Sequence, residues 1–204
     1  MQRGLLSADR LGAFSDAVIA VIITVMVLEM KAPDGSSFAD LVPLWPIAIS
    51  YAASYLFVAI IWVNHHYLLH LVRYPSSRLI WLNFIHLFAV SLLPFATAWV
   101  ARSHMASAPV ALYAVIFLVI DVAYLAFERA VFGQMDRTVV TERLRTWTQR
   151  RTLLAVLMFA AAAALAPFIP LAGFATVCCA LLLYIRPEAI DGFAARTDSQ
   201  SIDE

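Results

Sequence analysis

Apolar segments of about 20 residues, the length that crosses a bilayer, recur along this chain with only short polar breaks. A chain built this way has few options. Lipid offers no partner to backbone N–H and C=O groups, so each segment must close its own hydrogen bonds as a helix. Six spans are expected, at 11–31, 45–70, 79–101, 108–131, 152–168 and 171–186. The first break holds Pro33, Gly35, Pro43 and Pro46, which stop one helix and start the next. The last is the slightest: Pro167, Pro170 and Gly173 split a run too long for one span into a tight hairpin. The expected fold class is an all-α membrane protein. Residues 1–186 form a single six-helix unit, and the polar stretch 187–204 has too little apolar surface to fold, so a disordered tail is expected there.

Charge sets the orientation. With the N-terminus in the cytoplasm, twelve arginines fall inside and only Lys31 and Arg102 outside. That bias satisfies the positive-inside rule and puts both termini in the cytoplasm. Five spans would weaken it. Trp45, Trp81, Trp99 and Trp147 lie near span ends, where an aromatic belt belongs. The formal net charge of zero excludes a general pull toward nucleic acid. Cys178 and Cys179 are adjacent in an apolar run, without the spacing of a metal site, and read as small apolar fillers.

The first span carries the densest information. Arg10, Phe14, Ser15 and Asp16 stand at its mouth, and an apolar stretch from Ala17 to Leu28 follows. Charge at a membrane-helix entrance is costly and seldom idle. At 100° per residue, Val21, Val25 and Leu28 share one stripe, with Thr24 beside it. Asp16 points about 140° away from Val21, on a face with Ala20, Ile23 and Val27. That second face, with its small residues, is expected to pack inside the protomer. On the residues alone the aliphatic stripe reads either as lipid contact or as a functional lining.

The spacing Arg10-x-x-x-Phe14-Ser15-Asp16 resembles the signature of the endosomal and lysosomal potassium channel family. Trp62-Val63-Asn64-His65-His66 in the second span resembles that family's Trp-x-x-His element, and Asn83 with Ser91 to Phe95 its third-helix pattern. The resemblance implies a bacterial, single-repeat member in the plasma membrane: a homotetramer, with first helices lining a central potassium-permeable pore. It places constriction rings at Val21, Val25 and Leu28, with Thr24 and Glu29 as adjacent polar groups. Val21 is smaller than the isoleucine or leucine common at such a ring. No cofactor is implied, and the partners are other copies of the chain, lipid and monovalent cations. An apolar ring makes a cation shed water or gates by dewetting, which implies weak to moderate preference for K⁺ over Na⁺.

The polar signature then reads as structural. Arg10, Phe14, Ser15, Asp16, His65, His66 and Asn83 are expected at one membrane depth as a buried network, with Asp16 accepting from a histidine. A proton-relay or pH-sensing role for that histidine is the alternative. Glu29 with Asp34 and Asp40 reads as an acidic mouth or as a solvated loop. Arg137 to Arg151 reads as an anchor at anionic headgroups. Asp121 is an intramembrane charge whose partner stays open, Tyr113, Tyr124 or a neighbouring helix. His66 and His70, at i, i+4, lack further ligands for a metal. No nucleophile, base and metal set converges, so no enzyme is expected. The rival functions are a proton-coupled secondary transporter, which needs inverted repeats and discontinuous helices, and a membrane protein without transport activity.

Overall fold

The structure is a computed structural model that describes residues 7–72, 74–134 and 142–184. All regular elements among these are helical: α1 Ala8–Leu28, a 3₁₀ turn Phe38–Leu44, α2 Trp45–His70, α3 Ser77–Ser91, α4 Leu93–Arg102, α5 Ser107–Gly133, α6 Glu142–Leu165 and α7 Pro170–Leu182. The expected tail at 187–204 lies outside the described residues.

Local chemistry explains the boundaries. Ser7 caps α1 by accepting from the Arg10 N–H, and Ser76 caps α3 by accepting from the Leu79 N–H. Ser37 and Asp40 form a reciprocal capping box before the 3₁₀ turn, so Asp40 is engaged locally instead of standing in an acidic ring. The third span is not one helix. Pro94 has no N–H to give to the Val90 carbonyl, and the chain breaks at Leu92 into α3 and α4. The fifth begins earlier than expected: α6 starts at Glu142 and carries its arginine-rich first third as helix.

Among the described residues, four segments are long and apolar enough to cross a membrane: α1, the 3₁₀ turn with α2, α3 with α4, and α5. The α6–α7 hairpin completes the six-helix unit. It packs tightly through Gly173, where an added Cβ would stand 2.8 Å from the Ala166 Cβ and 3.1 Å from the Ala162 carbonyl oxygen. Helix α5 is the hub, lying against α3, α4, α6 and α7. Helix α1 is the outlier. Only 28% of its apolar segment is buried, against 61% for α5.

Buried apolar side chains form two clusters, with polar groups between them. On α1, Ser15 separates Leu11 from Ile19. On α2, Asn64 and His65 separate Ile61 from Leu68, and on α3 Asn83 and His86 lie between Leu79 and Leu87. Residues of like chemistry thus lie at like depth in three successive helices, a polar layer through an apolar bundle.

Candidate functional site: an outward helix and its polar clamp

Helix α1 buries Leu11, Ser15, Ile19, Ile22 and Met26 against the protomer. This corrects the expected inward face. Ala20 and Val27, placed there with Asp16 by the sequence, are exposed, and Ile23 and Asp16 are half-buried. The error has a simple cause: in lipid every face of a span is apolar, so small residues alone do not identify the packed one. The aliphatic stripe is outward. Val21 is 58% exposed, Val25 39% and Leu28 78%. Thr24 is exposed beside it and donates its hydroxyl proton to the Val21 carbonyl at 2.8 Å. At the far end of α1, Glu29 pairs with Arg102 of α4 at 2.5 Å.

The signature residues do not form one network. They form two. The buried one joins three helices: Asn83 Oδ1 accepts from His65 Nε2 at 2.6 Å, Asn83 Nδ2 donates to Ser15 Oγ at 3.1 Å, and the Ser15 hydroxyl donates to the Leu11 carbonyl at 2.9 Å. All three side chains are fully buried. The His65 ring stacks with His86, 5.7 Å away, and with Phe127, 5.2 Å away.

The second network is half-exposed. Asp16 Oδ1 accepts from Trp62 Nε1 at 2.8 Å, and Asp16 Oδ2 lies 3.6 Å from His66 Nδ1. His66 stacks on Trp62 and meets His70 at 2.7 Å through the two Nε2 atoms. Sequence reasoning gave Asp16 a histidine donor; its close hydrogen bond comes instead from the indole of Trp62, one turn before His66. The signal was available, since Trp62 and His66 are i, i+4 on one face. Phe14 belongs to neither network. It is 50% exposed and packs edge-on against Phe84, 5.6 Å away. The Arg10 side chain is exposed at the helix entrance.

Other expectations shift as well. Arg151 is no headgroup anchor. It is buried, donates to Asn64 Oδ1 at 3.1 Å and lies over the Tyr184 ring at 4.8 Å. A guanidinium inside a bundle needs such bonds and aromatic faces to offset lost water. Asp121 accepts from Tyr184 at 2.8 Å, so of the open alternatives its partner comes from a neighbouring segment, just past the end of α7, and not from Tyr113 or Tyr124. Tyr113 instead joins Ser54 and Thr97 in a hydroxyl cluster between α5, α2 and α4. Cys179 is exposed, not a core filler, and Cys178 is half-buried; both are free thiols. Among the described residues no group of three or more His, Cys, Asp or Glu is placed to hold a metal ion.

A bundle of apolar helices around an inner polar layer, with one span left outward, defines a multi-pass α-helical membrane protein. Its relatives narrow the class. Residues 10–94 match the family described as endosomal/lysosomal potassium channel TMEM175. A potassium channel of Chryseobacterium sp. (strain P1-3) is 43% identical over 126 residues, 62% of this chain and 66% of that protein. A potassium channel of Streptomyces collinus (strain DSM 40733 / Tue 365) is 33% identical over 142 residues, 64% of this chain and 66% of that one. These matches thus span about two thirds of each relative's length. The crystal structure of a lysosomal potassium-selective channel TMEM175 homolog from Chamaesiphon minutus aligns with a TM-score of 0.77 at 25% identity, covering 87% of this chain and 95% of that one. The chain belongs to the TMEM175 family, a family of ion channels and not of enzymes.

Proposed function

We propose that this chain is one subunit of a homotetrameric, potassium-permeable cation channel in a bacterial plasma membrane. Six spans with both termini cytoplasmic fit the arginine distribution. Four α1 helices surround the pore, and rings of Val21, Val25 and Leu28 form its constriction. The observation that carries this reading is the outward stripe of α1. The helix is clamped to its protomer on one side by Ser15 and Asp16, yet it leaves three aliphatic residues and a hydroxyl uncovered on another. Relatives that bear the name potassium channel supply the ion.

An aliphatic ring has no oxygens with which to replace a hydration shell, so selection rests on the cost of removing water. Potassium holds its water less tightly than sodium, and the preference is weak to moderate. Thr24 adds hydroxyl oxygens beside the ring, and Glu29, its charge balanced by Arg102, adds a polar group at the outer end.

Currents from protein reconstituted in planar bilayers test this. Val21→Ala and Leu28→Ala each widen a ring, and raised conductance with a lower K⁺ over Na⁺ preference is expected. Wild-type conductance and reversal potential in both variants would sink the proposal. One feature favours the transporter reading instead: the α3–α4 break, since discontinuous helices mark transporter sites. Saturable uptake coupled to a proton gradient, without single-channel steps, would establish that reading.

A further inference from the structure

Two polar residues in the bundle interior, Asp121 and His86, each keep one unpartnered side-chain atom and line a common space. Asp121 is 3% exposed. Its Oδ1 is taken by Tyr184, while Oδ2 has no hydrogen-bond partner. His86 is fully buried, and its Nδ1 lies 3.3 Å from the Ile120 carbonyl. A carbonyl only accepts, so Nδ1 carries the proton, and Nε2 of the neutral ring is an acceptor. Nε2 also has no partner. Both residues line one internal cavity of about 20 Å³, together with Asn64, Tyr124 and Tyr184, and its remaining walls are apolar.

With Asp121 as the carboxylate, Oδ2 only accepts, and it cannot satisfy the acceptor Nε2 of a neutral His86 ring. Each is costly if left bare, and nearly all buried polar atoms in folded proteins have a partner. The group required between them has two donors and the size of the cavity. Water meets both conditions, since a cavity of about 10–15 Å³ admits one molecule.

We infer that this pocket binds a single water molecule, which donates one hydrogen to Asp121 Oδ2 and the other to His86 Nε2. The water closes a polar seam across the protomer. The seam runs from Ser15 on α1 through Asn83 and His65 to the stacked ring of His86, then through the water to Asp121 and Tyr184. Arg151 on α6 covers the Tyr184 ring and returns the seam to α2 through Asn64. The outward helix and the end of the last helix are thereby held by one chain of contacts. The inference rests on the packed protomer and not on ion conduction.

A density map of the full chain in lipid nanodiscs, at a resolution that shows ordered solvent, tests the site directly. One solvent peak within hydrogen-bond distance of both Asp121 Oδ2 and His86 Nε2 is expected. An empty pocket, or one closed by direct contact of the two side chains, would overturn the inference. Radiolytic hydroxyl labelling gives an independent reading, because a bound water converted to a radical oxidises the side chains beside it. Tyr124, although buried, is expected to be labelled in the wild type, and to lose that labelling in His86→Phe. Should that variant fail to assemble, Ile61→Phe fills the pocket from its apolar wall with the same expected loss. No labelling of Tyr124 in the wild type, or equal labelling in a filled variant, counts against the water.

Discussion

Asn83 ties three helices with one amide. It accepts from His65 on α2, donates to Ser15 on α1 and is itself on α3. Asn83→Ala strips partners from two buried groups, and a loss of about 1–3 kcal/mol is expected, read as a lowered unfolding temperature in detergent. Trp62→Phe is the contrasting case. It removes the donor to Asp16 but keeps an aromatic ring on His66, in a half-exposed setting. A smaller loss, about 0.5–1.5 kcal/mol, is expected by the same measurement. If the two losses come out in the opposite order, the division into a buried and a half-exposed network is wrong. Both networks were partly legible in the residues, because Ser15, Asp16, His65 and Asn83 are polar within apolar runs and must be satisfied. Their division into two was not legible. It depends on how α1 is set about its own axis, which turns Ser15 toward α3 and the neighbouring Asp16 toward α2.

At the scale of the element, the hairpin α6–α7 shows what a single small residue secures. Gly173 allows α7 to lie directly on Ala162 and Ala166, the small-residue packing by which helices approach in membranes. Gly173→Val places branched carbons where a Cβ already meets its neighbour at 2.8 Å. A destabilisation of about 1–3 kcal/mol is expected from the overpacking, seen as faster proteolysis of the hairpin. Unaltered proteolysis would mean the helices are not in close contact there. The hairpin itself was legible from Pro167, Pro170 and Gly173, which cannot all stay within one helix. The break at Leu92 was hidden, though Pro94 was in view, because proline in a membrane helix is accommodated either by a kink or by a break. Packing of α4 against α2 and α5 accompanies the second outcome. Arg151 was misplaced for a related reason. It stands at the edge of an apolar run, and only the closeness of Asn64 and Tyr184 draws it inside.

For the whole molecule, the question is what covers α1. A helix with so little of its apolar length buried by its own chain meets either lipid or other copies. In the proposed tetramer the Leu28 side chains of neighbouring subunits converge near the axis. Leu28→Cys, in a chain whose Cys178 and Cys179 are replaced by alanine, is then expected to form intersubunit disulfides on mild oxidation, giving covalent dimers on a denaturing gel. Leu153→Cys on α6, 45% exposed on the native chain, serves as the control and should stay monomeric. Equal cross-linking at the two positions would remove α1 from the axis. The sequence by itself determined that the chain is helical, where its long apolar spans lie and that Ser15, His65, Asn83 and Asp121 needed partners inside. Those results follow from local physics, since each helix in lipid closes its own backbone bonds from neighbours in sequence. Only the tertiary structure decided which face of α1 is buried, that Trp62 bonds Asp16, that Tyr184 bonds Asp121 and that Arg151 turns inward. These depend on the rotation of each helix about its axis. In a chain apolar on every side, that rotation is settled by the close fit between helices and not by the hydropathy of any one of them.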